Sequence, residues 1–227
     1  MEFARYAIYY TPPEGPFSDF GASWLGWDPI AGTAVQHPAT AEQLDIAEIT
    51  ARPRKYGFHG TLKAPFRLAD GATRADLETA VAALAAHLRP AFTGPLRLHS
   101  LDGFLALIPT GDTVALAEFA ATVVRDLDTF RAPLSEDDLA RRRAAPLTPR
   151  QDEYLVAWGY PYIMEDFRFH MTLSRRLDEA TAATAKTVLE PLVAPHIGEP
   201  FQADALTLLG EGPDGRFRQL HRYTLAG

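Results

Sequence analysis

The chain has 227 residues, 47% of them apolar, enough for one large domain or two small ones. It has no cysteine, which excludes disulfides, thiolate metal sites and a cysteine nucleophile. A net charge of −7 weighs against a surface built to grip long nucleic acid, whose affinity rests on many Lys and Arg contacts to phosphate, but leaves room for a small anion in a locally basic cleft.

Residues 1–10 show no basic start followed by a long apolar run, and no stretch approaches the roughly 18–20 uncharged apolar residues of a membrane helix. A cytoplasmic protein without membrane contact is expected. Residues 11–54 are rich in Pro, Gly and Trp and give no assignment beyond loops and short elements. Gly57-Phe58-His59-Gly60-Thr61-Leu62 follows, and then a helix predicted from about Arg74 to Leu88. Leu77, Val81, Leu84 and Leu88 share one face of it, and Thr73 with Asp76 forms its cap. Strands at Leu96 to Leu101 and Phe104 to Pro109, joined at Asp102-Gly103, read as a hairpin.

Helical spacing returns from Thr113 to Phe130 with Leu116, Phe119, Val123 and Leu127. Ser135-Glu136-Asp137-Asp138 starts a helix leading into Arg141-Arg142-Arg143, and Thr148-Pro149-Arg150-Gln151 starts another running to about Trp158. Next come Arg168-Phe169-His170-Met171-Thr172-Leu173, a helix from about Glu179 to Val193 striped by Ala185, Val188, Leu189 and Leu192, and strands at Ala205 to Leu209 and Arg216 to Leu225.

The second half therefore repeats the first. Both motifs read Phe-His-x-Thr-Leu, 111 residues apart, and each precedes a helix and a strand pair. The expected architecture is α+β and bilobal within one domain, 1–227. Its lobes, about 1–111 and about 112–227, would each hold an antiparallel sheet and helices, related by an approximate two-fold axis about a central cleft. Strand alternation puts His59, Thr61 and Lys63 on one face, and Arg168, His170, Thr172 and Ser174 likewise, with the intervening Phe and Leu turned into a core.

Two imidazoles on opposite sides of a phosphate can supply both base and acid near neutral pH, and two threonine hydroxyls can donate to the non-bridging oxygens. Such a site needs neither metal nor cofactor. Lys63 and Arg168 are candidate ligands for a second phosphate. His37, His87, His99, His196 and His221 have no repeated setting and are read as structural. Tyr56, Tyr160 and Tyr162 either stack on a ligand or pack loops, and the arginine run at 141–143 suits a helix end.

The paired motifs resemble those of the two-histidine (2H) phosphoesterase superfamily, which includes cyclic nucleotide phosphodiesterases and RNA-end-processing enzymes. The longer strings Lys55-Tyr56-Gly57-Phe58-His59-Gly60-Thr61-Leu62-Lys63-Ala64-Pro65-Phe66 and Trp158-Gly159-Tyr160-Pro161-Tyr162 resemble a bacterial branch, DUF1045, associated with phosphonate metabolism and carbon–phosphorus lyase genes. The resemblance implies His59 and His170 as catalytic pair, Thr61 and Thr172 as phosphate ligands, and a small phosphoribosyl cyclic phosphate as substrate. Alternatives are an RNA-end 2′,3′-cyclic phosphodiesterase, a non-catalytic phosphoribosyl-binding protein, and a metal-dependent hydrolase. The last is disfavoured because neither motif carries a carboxylate at ligand spacing.

Overall fold

The computed structural model describes residues 2–39 and 44–226. In chain order the chain forms β1 (Tyr6–Tyr10), α1 (Pro16–Leu25), the short pair β2 (Trp27–Asp28) and β3 (Thr33–Ala34), α2 (Ile46–Ile49), α3 (Ala51–Arg54) and β4 (Gly60–Phe66). There follow α4 (Arg74–Ala85), β5 (Ala91–Leu101), β6 (Phe104–Pro109), α5 (Val114–Asp126), α6 (Glu136–Arg143) and α7 (Pro149–Trp158). The last elements are β7 (Met171–Arg176), α8 (Glu179–Val193), β8 (Pro200–Ala203), β9 (Ala205–Glu211) and β10 (Phe217–Thr224).

The helix starts follow from their caps. Thr73 accepts from the Asp76 amide, Ser135 from Asp138, Thr148 from Gln151 and Asp178 from Thr181, each satisfying a donor that the first helical turn leaves open. Gly159, in the left-handed region at φ 76°, closes α7. α4 buries Leu77, Val81 and Ala85, and α8 buries Ala185, Leu189 and Val193, one stripe each. None of the described helices is long and apolar enough to cross a membrane.

Eight strands form one antiparallel sheet in the order β10-β9-β1-β4-β7-β6-β5-β8. The two sheets expected from the repeat are thus halves of a single sheet, and their seam is narrow: β4 and β7 pair only at Gly60↔Met171. The hairpin that follows the first motif, β5–β6, pairs with β7, the strand of the second motif. The hairpin that follows the second motif, β9–β10, joins β4 through β1. Each half-sheet therefore draws strands from both halves of the chain.

The phenylalanine of each motif anchors its strand from behind. Phe58 and Phe169 are buried in the main core with Leu62, Met171 and Leu173. Phe169 lies across the backbone of Gly60, where a β-carbon would stand 2.3 Å from its ring. Only glycine fits the central rung of the sheet.

Candidate active site

Gly60 and Met171 form the one rung between β4 and β7, and His59 and His170 immediately precede those residues. Extending this register by one residue sets His59 opposite Thr172 and Thr61 opposite His170. The imidazoles then fall on the diagonal, where residues stand about 7–8 Å apart and their β-carbons somewhat less. His59, Thr61, His170 and Thr172 are all partly exposed, while Gly60, Leu62, Met171 and Leu173 between them are buried. The four polar side chains share one face, as the alternation predicts.

The two histidines are held alike. Nδ1 of His59 lies 2.9 Å from the Gly57 carbonyl, and Nδ1 of His170 lies 2.8 Å from the Arg168 carbonyl. A carbonyl only accepts, so Nδ1 carries the proton in both rings, and in a neutral ring Nε2 is left with its lone pair. Nε2 of His59 accepts from the Thr61 hydroxyl at 3.1 Å. Each motif thus fixes its own tautomer with the carbonyl two residues back.

Their surroundings differ. Tyr9 of β1, paired with Thr61 in the ladder, stacks on His59 with ring centroids 3.7 Å apart and planes 20° from parallel. Tyr56 flanks the same imidazole at 6.1 Å. With Ala7, Leu209 and Phe217 these rings form a small apolar cluster on the histidine-bearing face. Burial, reinforced by the nearby charge of His170, holds the His59 imidazole down at about 4, against the support of the Gly57 carbonyl. His170, 5.5 Å from the Phe104 ring, is also pushed down by burial, but the Arg168 carbonyl and Asp102 both favour its protonated form. His59 is the ring kept neutral, and His170 the one with an acidic neighbour.

Lys63 and Ser174 depart from the expected line. They occupy equivalent positions two residues beyond each threonine, and each motif strand breaks register there. In the β1–β4 ladder Tyr9 pairs Thr61 but Ile8 pairs Lys63. In the β6–β7 ladder Ala106 pairs Thr172 but Phe104 pairs Arg176. A bulge redirects the side chains that follow it. The Lys63 ammonium is 3% exposed and donates to Asp128 at 2.8 Å and to the Val124 carbonyl at 3.2 Å. Ser174 is buried, accepting from the Leu105 amide and donating to the Arg175 carbonyl. Lys63 is thus held by Asp128 rather than standing beside Thr61. The Arg168 side chain is exposed, and what this residue gives the site is its carbonyl.

The remaining histidines are tied elsewhere: His37 to Arg54 and the Trp24 carbonyl, His87 to the Ala83 carbonyl, His196 against Phe17 and Phe20, and His221 beside Tyr223. His99 lies in β5, across from Ala106. Among the described residues no three His, Asp or Glu side chains group as a metal site. Tyr9 is the contributor that the sequence reading missed; its five-residue strand is buried throughout, so no alternation marks the ring's face.

Fold and site together define an α+β protein in which one antiparallel sheet brings two matching His-x-Thr strands to a common rung. The chain belongs to the DUF1045 family: the family described as "Protein of unknown function (DUF1045)" matches residues 61–218, more than half of the sequence. It is 38% identical over 232 residues to ribose 1,5-bisphosphate phosphokinase PhnN of Janthinobacterium sp. (strain Marseille), covering 98% of this chain and 51% of that protein. The protein of the same name from Laribacter hongkongensis (strain HLHK9) is 37% identical over 176 residues, 77% of this chain and 41% of that protein. The chain spans about half the length of these relatives or less. In structure it is similar to E. coli LigT complexed with 3′-AMP and with ATP, at 16% identity and TM-scores of 0.43 and 0.46, over 100% of both chains.

Proposed function

We propose that the chain is a metal-independent phosphoesterase of the two-histidine kind, opening the cyclic phosphate of a small phosphoribosyl compound. The observation that carries this reading is the equivalence of His59 and His170. Both donate Nδ1–H to a carbonyl two residues back, and both flank a single rung with a threonine beside them.

His59, neutral at pH 7, takes a proton through Nε2 from water as the water oxygen attacks phosphorus. His170, protonated, gives its proton to the ester oxygen as the ring opens. Thr61 and Thr172 donate to the non-bridging oxygens, where charge concentrates. The Thr61 hydroxyl, which bonds His59 in the free protein, turns to phosphate and releases Nε2 for the water. A monoester and a free hydroxyl result, and the histidines exchange protons with solvent to reset.

The curated relatives are named for a phosphorylated ribose, which supports that substrate class. Their kinase name transfers less readily. The sequence contains no Gly-Lys-Ser or Gly-Lys-Thr, the residues with which a P-loop grips nucleotide phosphates.

The test is turnover of a panel of ribosyl and nucleoside cyclic phosphates in the presence of a chelator. His59→Ala and His170→Ala should each lower kcat roughly 10²- to 10⁴-fold. Full turnover by both variants, or activity that chelation abolishes and a divalent ion restores, ends the reading. A preference for short RNA ends over free phosphoribosyl esters would move the substrate to RNA. Tight binding without turnover would make the chain a binding protein.

A further inference from the structure

Behind the tyrosines that pack on His59 lies a second concentration of charge. One cavity is lined by Arg5, Lys63, Arg67, Arg131, Arg141 and Arg142, together with Asp138 and Tyr160. The carboxylates there are outnumbered. Asp128 is shared by Lys63 and Arg131, each at 2.8 Å. Asp138 is shared by Arg67, at 2.6 Å, and Arg141, while Glu211 holds Arg5 at 2.6 Å. Six cations meet three carboxylates, in a chain whose net charge is −7.

Arg142 is the one without a carboxylate partner among the described residues. Its guanidinium stands 5.1 Å from the Tyr160 ring centre, and its Nε is buried with no hydrogen-bond acceptor. A buried donor left unpaired is costly, and a guanidinium is the group best shaped to grip a phosphate through paired N–H bonds. The surplus charge and the orphaned donor call for the same thing, an anion with several acceptor oxygens.

The cavity adjoins the histidine site. Phe217 packs on Tyr9 and Tyr56, with ring centroids 6.3 and 5.3 Å away. Arg5 also lies over Phe217, in the apolar cluster that contains Tyr9. Packed rings thus link the His59 imidazole to Arg5, one of the cavity's cations.

We infer that this cavity takes a second, non-reacting phosphate of the substrate, a phosphomonoester, with Arg142 as its main ligand. This rests on the reading of His59 and His170 as the site of the reacting phosphate. It gives the arginine run at 141–143 a use beyond that of a helix end.

The experiment separates the two claims. Ribose 5-phosphate is titrated by calorimetry into the His59→Ala/His170→Ala double variant, in which no chemistry occurs. Saturable binding is expected, competed by inorganic phosphate and weakened at least tenfold by adding Arg142→Gln. Arg143→Gln, which removes the same charge from a side chain bonded to Asp152 outside the cavity, should leave that affinity in place. Arg67→Gln offers a second probe if Arg142→Gln fails to fold, and it should weaken binding in the same sense.

In the histidine-intact protein, a ribosyl cyclic phosphate bearing a monoester phosphate should be preferred over one lacking it, and Arg142→Gln should shrink that ratio of kcat/KM at least tenfold. Equal affinity with and without Arg142, or equal turnover of the two substrates by the intact protein, overturns the cavity's role and leaves the histidine reading standing. Arginine-dependent binding with no turnover of either substrate overturns the histidine reading and leaves the cavity standing.

Discussion

Tyr9 lies face to face with His59, the two rings 3.7 Å apart at their centres, although fifty residues of sequence separate them. The contact excludes water from one side of the imidazole and fixes the ring's plane. In the proposed reaction Tyr9 is a positioning residue, acting through His59.

Tyr9→Ala should therefore raise the His59 pKa from about 4 toward 6.5, because water reaches the ring and the penalty on its charged form falls. An NMR titration of the histidine ring protons reads the shift directly. An unchanged His59 titration in the folded variant would show that the stack contributes nothing to it.

The pH profile follows from the two imidazoles. The proposed reaction needs His59 neutral and His170 protonated, and both are held below the ordinary histidine value, His59 at about 4. kcat/KM should peak on the acidic side, between about 4 and 6.5, and fall about tenfold per pH unit above the His170 pKa. His170→Ala should flatten the alkaline limb, and His59→Ala the acid one; the opposite pattern would exchange their roles. Stability has a matching sign. As pH falls from 6.5 through 4 the unfolded chain takes up a proton at His59 that the folded chain refuses, so the fold weakens across that window.

Loss of a threonine hydroxyl should cost less than loss of an imidazole. Thr61→Val and Thr172→Val each remove one hydrogen bond to a charged oxygen, worth about 1.5–3 kcal/mol, or roughly 10- to 150-fold in kcat/KM. Thr→Ser at either position should recover most of it. Steady-state kinetics of the four variants checks this, and a Val variant as active as the wild type would remove that hydroxyl from the mechanism.

Gly60→Ala tests the rung itself. The added methyl would meet the Phe169 ring at 2.3 Å, and that ring is pinned by Tyr10 and Phe201 at centroid distances of 6.1 and 5.1 Å. Overpacking of this kind costs about 1–3 kcal/mol. In a chain of this size each kcal/mol lowers Tm by roughly 2–4 °C, so a thermal melt resolves it.

Much of this arrangement was written in local signals. The caps at Thr73, Ser135 and Thr148 begin their helices where the sequence placed them, and α8 spans the expected Glu179–Val193. His59, Thr61, His170 and Thr172 fell together because a repeated motif and a two-residue period suffice to place them. What escaped is what depends on distant pairing. β8, invisible as a four-residue run, exists because it pairs with the start of β5, which begins at Ala91 rather than Leu96. The bulges that carry Lys63 and Ser174 away are slips between neighbouring strands, and no alternation within one strand records them. α1, within the unassigned stretch, is ordered by tertiary contact: Trp24 is fully buried and donates to the Leu173 carbonyl of β7.

The crossed hairpins make the duplication in the sequence a poor guide to where the molecule divides. Cut after residue 111, the first fragment would keep His59 but lose β9 and β10, which complete the half-sheet of β4, and the second would keep His170 without β5 and β6 to support β7. The first piece keeps β1 beside β4 but loses β7, and the second loses both neighbours of β7. Bringing the two imidazoles to one rung takes strands from the whole chain, in a sheet that also joins segments some 200 residues apart, β1 and β9.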